Sequence, residues 1–286
     1  MNIKKLRNLF LSQSYLDTIR DYEELLDKEK KTWDYVVLTA SNEAQARTYR
    51  NEIDVRLAEG TIPSNCKYVV LADPEGKRVG SGGATLNVLK HIALDDSASA
   101  EPFKNKKILV IHSGGDSKRV PQYSVCGKLF SPVPREMANG KASTLFDEFL
   151  IVMASVSRRI SEGMLILSGD VLLLFNPLQL DLQFKGAAAI SIKESVDVGK
   201  DHGVFLRGEN NYVQKFLHKQ TEETLRDLGA VNDAGNVDLD TGAVLLDTDV
   251  MNDLYSLISK NGVYDEAGFQ TFVNDRARIS FYGDFL

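Results

Sequence analysis

The stretch Ser113-Gly114-Gly115-Asp116-Ser117-Lys118-Arg119 holds residue types and spacings that could do chemistry. It follows an apolar run, Ile108-Leu109-Val110-Ile111, which reads as a buried strand of a parallel sheet. Two glycines at the carboxyl end of a strand let backbone N–H groups come close to a ligand, with no Cβ in the way. Lys118 and Arg119 follow at once, and Lys128 comes nine residues after Arg119. A glycine pair after a strand is by itself only a turn. Backbone donors together with three cations at a strand end predict an anion site, for phosphates, running from Gly114 through Ser117 to Lys128. It is not a Walker A loop, because Gln122 stands where the first glycine belongs and Leu129 where Ser or Thr is needed.

Two other stretches carry chemistry-bearing residues. Met164 to Leu167 reads as a strand that ends in Ser168-Gly169-Asp170, which puts a carboxylate in the crevice where parallel sheets bind ligands. Upstream, Gly80-Ser81-Gly82-Gly83-Ala84-Thr85 could be mistaken for a dinucleotide fingerprint. Thr85 takes the place of the third glycine, however, and Asp73 to Val79 separates the preceding strand from Gly80. The better reading is a flexible backbone at Gly82, Gly83 and Thr85 that wraps a flat base or ribose. The four histidines lack metal-ligand spacing, and no His or second Cys is placed to activate Cys126.

The positioning elements alternate. Tyr35–Leu38, Tyr68–Leu71, the central run and Met164–Leu167 read as strands, with helices after the first three: one capped by Ser41, one through about His91, one from Ser143-Thr144 to Ile160. That order predicts an α/β protein with a doubly wound, mostly parallel (mixed) Rossmann-like sheet. Ala187–Ile192 is a further strand, and 202–205 with 212–216 reads as a hairpin. Residues 238–246, DLDTGAVLL, are strand-like. Helices near 249–259 and 265–274 and a strand at 278–282 complete the pattern. Residues 1–31 read as a charged helical N-terminal flank, and 32–286 as one large domain.

The net charge of -6 argues against nucleic acid as the main partner. No apolar run reaches the ~18 residues of a membrane span, and the N-terminus lacks a signal-peptide pattern. Two cysteines, Cys66 and Cys126, fit a reducing cytoplasm.

The phosphate stretch resembles the signature of the sugar-1-phosphate nucleotidyltransferases, roughly G-G-x-G-T-R and then P-K. Gly114, Gly115, Arg119 and Lys128 match, while Ser117 replaces the third glycine and Gly127 the proline. GGDSKRVPQYSVCGKLFSPVP is similar to the branch of fucose-1-phosphate guanylyltransferases found joined to L-fucokinase. VVLTAS, DPEGKRVGSGGATLNVL, SGDVLLLF and DTGAVLL agree with that branch. The resemblance implies transfer of GMP from GTP to L-fucose 1-phosphate, giving GDP-L-fucose and pyrophosphate. It implies that Gly114 and Gly115 hold the α-phosphate, Arg119 the β- and γ-phosphates, and that Lys128 neutralises the α-phosphate. Asp170 would hold Mg2+, with Asp240 as a second ligand. Gly82, Gly83 and Thr85 would meet the nucleobase. Gly203 matches a superfamily segment whose lysine, here Lys219, touches a sugar-nucleotide phosphate, and Thr241 and Gly242 would line the sugar pocket. Three other readings stay open. One is a nucleotidyltransferase for another sugar 1-phosphate, one a binding module or scaffold without catalysis. The last is a nucleotide-binding fragment of a longer enzyme with a kinase domain, with little activity alone.

Overall fold

A computed structural model describes residues 3–28, 30–113, 127–137 and 139–285. The first half alternates strand and helix: α1 (Ile3–Asp27), β1 (Tyr35–Ala40), α2 (Glu43–Ala58), β2 (Lys67–Ala72), α3 (Gly80–Asp95) and β3 (Lys107–His112). A small hairpin, β4 (Pro132–Glu136) and β5 (Ala142–Thr144), leads into α4 (Leu145–Ser157) and β6 (Gly163–Ser168). The second half is richer in antiparallel strands: β7 (Ala187–Ser195), α5 (Val196–Gly199), β8 (Gly203–Arg207), β9 (Val213–His218), α6 (Glu222–Asp227) and β10 (Asn236–Leu246). Helices α7 (Thr248–Ser256) and α8 (Glu266–Phe272) follow.

Among the described residues eight strands form one mixed sheet in the order β2-β1-β3-β6-β10-β8-β9, with β7 also paired to β10, while β4 and β5 pair separately. β2, β1, β3 and β6 run parallel, and β10 turns the sheet antiparallel. Side chains alternate across a strand, so one apolar run feeds two cores. Val36, Leu38, Leu109, Ile111, Leu165 and Leu167 face α2 and α4. Val37, Ile108, Val110, Met164 and Ile166 face α3 and α7. This is the doubly wound arrangement that the alternating pattern implies. The helical N-terminal segment packs on α4 and sends Tyr22 and Leu25 into the first core. Among the described residues no helix is long and apolar enough to cross a membrane.

Three local readings need correction. The cap of α2 is Asn42, whose side chain accepts from Gln45 N–H, while Ser41 bonds the Gln45 side chain. The glycine-rich stretch from Gly80 is the first turn of α3, not a flexible loop. Residues 278–282 form no strand. Phe281–Phe285 instead makes a π-helical turn that packs on α3, because Phe281 fills the second core and its N–H bonds Ser81 Oγ at 2.8 Å.

Buried charge ties α2 to α4. Arg56 Nε donates to Asp147 Oδ1 at 2.7 Å, with both side chains under a tenth exposed. Asp147 also accepts from the N–H and hydroxyl of Thr144 at the start of α4, and the guanidinium stacks near Phe130. Removing one partner strands a charge in the core. Arg56→Ala should therefore lower stability by about 3–5 kcal/mol, read as a fall in the urea midpoint at constant slope. A change under about 0.5 kcal/mol, the size of an ordinary surface substitution, would show that the pair does not hold the two helices.

Candidate active site at the carboxyl ends of the parallel strands

Backbone register sets the site. Thr39 of β1 pairs with His112 of β3, and His112 with Ser168 of β6. Ala40 pairs with Ala72 of β2. Four chain segments therefore leave the sheet along one edge, where open α/β sheets take ligands. Just past β3, Ser113 Oγ donates to Thr39 O at 2.7 Å, and Tyr49 of α2 donates its hydroxyl to Ser113 O at 3.1 Å. Gly114, Gly115, Asp116, Ser117 and Arg119 lie outside the described residues. The described chain resumes at Gly127, which has φ +66°, and a Cβ there would lie 2.0 Å from the Tyr49 hydroxyl. Proline, locked near φ −65°, cannot take that position. The glycine found in place of the signature proline thus has a physical reason.

Lys128 follows. Its Nζ lies 3.2 Å from Asp170 Oδ2, and Asp170 Oδ1 accepts from Ser168 Oγ at 2.8 Å. Burial alone would raise the Asp170 pKa, but the Ser168 hydroxyl and Lys128 outweigh it and hold the carboxyl below its ordinary value. The pair is about a third to a half exposed, so it stabilises the fold little. It holds a cation and an anion side by side next to the end of β3.

Across the sheet, β10 carries a bulge between Asp240 and Ala243. Gly242 sits in it at φ +71°, and a Cβ would meet Ser168 Cβ at 2.8 Å. Its N–H donates to Asp240 Oδ1 at 2.8 Å, and its carbonyl accepts from Tyr282 at 2.8 Å. Burial raises the Asp240 carboxyl, opposed by the Gly242 N–H and by His218. Burial also raises the Tyr282 phenol, and the charges of Asp240 and Asp170 push it further. Gly203 lies here as well: a Cβ on it would meet Phe216 at 2.5 Å and Asp240 Cβ at 3.2 Å. Thr241 is buried with its hydroxyl on Ile190 O at 2.5 Å, so it braces the bulge. Lys219 ends the hairpin at φ +49° with its N–H on His202 O.

On the other flank, a cavity of about 200 Å³ opens between β1, β2 and the start of α3. Thr39, Ser41, Asp73, Arg78, Ser81 and His112 line it. Of the glycine-rich stretch, Gly80, Ser81 and Ala84 reach the cavity. Gly82 and Gly83 do not. Their missing Cβ atoms make room for Ile279 at 2.6 Å and Val79 at 2.9 Å. Thr85 is fully buried and spends its hydroxyl on Ser81 O at 3.0 Å. Its Oγ1 also lies 3.2 Å from His112 Nε2. Burial pushes His112 down to about 4, so the ring is neutral at pH 7.

The fucose pyrophosphorylase domain model matches residues 100–286. The chain belongs to that family. It is 29% identical to the bifunctional fucokinase/GDP-fucose pyrophosphorylase of Arabidopsis thaliana, over 89% of this chain and 27% of that protein. It is 29% identical to the fucose-1-phosphate guanylyltransferase of Mus musculus, over 78% of this chain and 39% of that one. It is 26% identical to the Homo sapiens protein of the same name, over 94% and 47% respectively. The chain thus spans between about a quarter and a half of the length of these relatives.

This fucose pyrophosphorylase domain brings together Lys128, Ser168, Asp170, Gly203, Asp240 and Gly242. Sequence reasoning missed Tyr49, Asp73, His112 and Tyr282 as parts of the site. Tyr49 and Tyr282 act through contacts with residues distant in sequence, which no motif records. Asp73 and His112 each stand next to a strand terminus, and that position was the available signal.

The Tyr49–Gly127 contact predicts a coupled pair. Gly127→Ala should destabilise the chain by at least about 1 kcal/mol, since a side chain in the left-handed region costs that much before any clash. Tyr49→Phe removes the atom nearest the new methyl. The double variant should be more stable than the sum of the single losses, by about 0.5 kcal/mol or more, the size of coupling between touching residues. Urea titrations of all four proteins check this, and strict additivity would contradict it.

Proposed function

We propose that this chain transfers GMP from GTP to L-fucose 1-phosphate, releasing pyrophosphate and giving GDP-L-fucose. The observation that carries the reading is the Lys128–Asp170 pair at the strand ends, in a chain of the fucose pyrophosphorylase domain family. A phosphate oxygen of the sugar 1-phosphate forms the new bond to the α-phosphorus, and the α–β phosphoanhydride bond breaks. That oxygen is already ionised at pH 7, because the second phosphate pKa is about 6, so no general base is needed. The protein's work is positioning and charge neutralisation.

In this reading Gly114, Gly115, Asp116, Ser117 and Arg119 hold the triphosphate through backbone and guanidinium donors. Lys128 leaves Asp170 to neutralise the charge that builds on the α-phosphate. Gly203, Lys219 and Gly242 frame the sugar phosphate, with Thr241 bracing the bulge behind them. Asp170 and Asp240 are two hard oxygen donors near Tyr282 and fit Mg2+, which is held by one or two carboxylates, with phosphates and waters completing its shell. When bound, Mg2+ would draw charge from the phosphates. The chemistry suits the cytoplasm, and Cys66 is a free, buried thiol. A kinase domain in a longer parent accords with the bifunctional Arabidopsis relative.

A second reading, a nucleotide-binding fragment with little turnover, is favoured by the share of the relatives that the chain spans. Pyrophosphate release from GTP, Mg2+ and L-fucose 1-phosphate, measured beside GTP affinity, separates the two. GTP binding without release supports the fragment, and neither signal overturns both. If the chain turns over, Lys128→Ala should lower kcat by about 10²–10³, the scale for one electrostatic stabiliser, with the fold intact. Near-normal turnover would remove Lys128 from the site. Asp170→Asn should lower kcat and raise the Mg2+ concentration needed for half-maximal rate, because the ion needs an anionic oxygen. An unchanged Mg2+ titration would show that Asp170 is a turn residue.

A further inference from the structure

The cavity at the ends of β1 and β2 lies on the far side of the sheet edge from Lys128 and Asp170. Asp73 follows β2, and Asp170 follows β6, with β1 and β3 between them. Three strand spacings separate them, about 14 Å at ~4.8 Å each. A nucleotide with its phosphates at β3 and β6 would lay its ribose past Thr39 and reach the cavity with its base. The larger hollow of the molecule, about 520 Å³ between α1 and α4, is a poor rival. Glu23, Asp27 and Glu59 line it, and its single cation, Arg135, is held by Glu148.

We infer that Asp73 is the residue that selects guanine, its two carboxylate oxygens accepting from the N1–H and the 2-amino group of the base. This rests on the nucleotidyltransferase reading of the site. Guanine shows two donors side by side on that edge, and an ionised carboxylate is an acceptor-only group with two oxygens. Adenine shows an unprotonated nitrogen at the same place, which a carboxylate repels. Asp73 is positioned for the task. Its N–H is fixed to Ala40 O at 2.8 Å, and its carbonyl accepts from Gly76 N–H. Its side chain makes no capping bond to the turn that follows. Burial pushes the carboxyl up to about 6, against the pull of the Val79 N–H and of Arg78, so it is ionised yet poorly solvated at pH 7. With only the Val79 N–H and Arg78 to offset burial, placing an acceptor edge of a base against this carboxylate in place of two donors is costly, and that cost is the source of discrimination. The buried neutral His112 adds no charge to this wall.

The test is nucleotide binding by calorimetry with the whole chain, in Mg2+, using GTP, inosine triphosphate, xanthosine triphosphate and ATP. Inosine triphosphate lacks only the 2-amino group, and it should bind the unaltered chain at least ~10-fold more weakly than GTP, the cost of one hydrogen bond to a charged group. Equal affinity overturns the inference with no variant needed. Xanthine keeps the N1–H but replaces the amine by a carbonyl. Asp73→Asn keeps an acceptor and gains a donor, so its preference should reverse, with the xanthosine triphosphate-to-GTP affinity ratio rising ~10²-fold or more. A variant that folds with an unaltered melting temperature but keeps the GTP preference overturns the role of Asp73 and leaves the nucleotidyltransferase reading standing. No binding of any triphosphate by the unaltered chain defeats that reading, and this one with it.

Discussion

Thr39, His112 and Ser168 lie side by side because three parallel strands pair in a fixed register. A one-residue slip in β3 would turn each of its side chains to the other face and exchange its contributions to the two cores. The apolar runs of β1, β3 and β6 feed both cores, so the cores set the register, and the register sets the site. Asp73, Ser113 and Asp170 are each the first or second residue beyond a strand, and their relative positions are inherited from the ladder.

Local contacts then fix what the ladder leaves free. The Tyr49 hydroxyl touches both described flanks of the 114–126 stretch: it bonds Ser113 O, and it fills the space a Cβ on Gly127 would need. Gly242 is set against Ser168 in the same way, which brings Asp240 of the antiparallel half toward Asp170 of the parallel half. The junction between β6 and β10 is where the sheet changes direction. Parallel strands present loop ends for phosphates. The antiparallel strands beyond the junction present a bulge and a hairpin, which suit a second substrate.

Much of the fold was legible because its strands are continuous apolar runs bounded by polar residues, and a strand buried on both faces has no other reading at that length. The Asp170 position was legible for a related reason, since it stands shortly after the apolar run Met164–Leu167, whereas Lys128 was legible through its spacing from Arg119 and its match to the signature lysine. What escaped was whatever depends on a single distant neighbour. Gly82 and Gly83 look like backbone free for a ligand, but Ile279, nearly 200 residues away, and Val79 occupy the space beside them. Residues 278–282 have the alternation of a short strand, yet Phe281 is drawn into the core under α3 and 281–285 form a π-helical turn instead. Asp73 opens the DPEGKRVGSGGATLNVL stretch, but the glycines of that stretch carried the reading, and only the cavity around Asp73 distinguishes it from an ordinary turn acid.

The central claim is that one nucleotide spans the carboxyl ends of β2, β1, β3 and β6. A crystal structure of the chain with GTP, Mg2+ and L-fucose 1-phosphate tests it most directly. The account predicts the base in the cavity bounded by Thr39, Asp73 and His112, with the α-phosphate between Lys128 and Asp170. A base seated elsewhere, such as the hollow between α1 and α4, or phosphates away from Lys128, would contradict it.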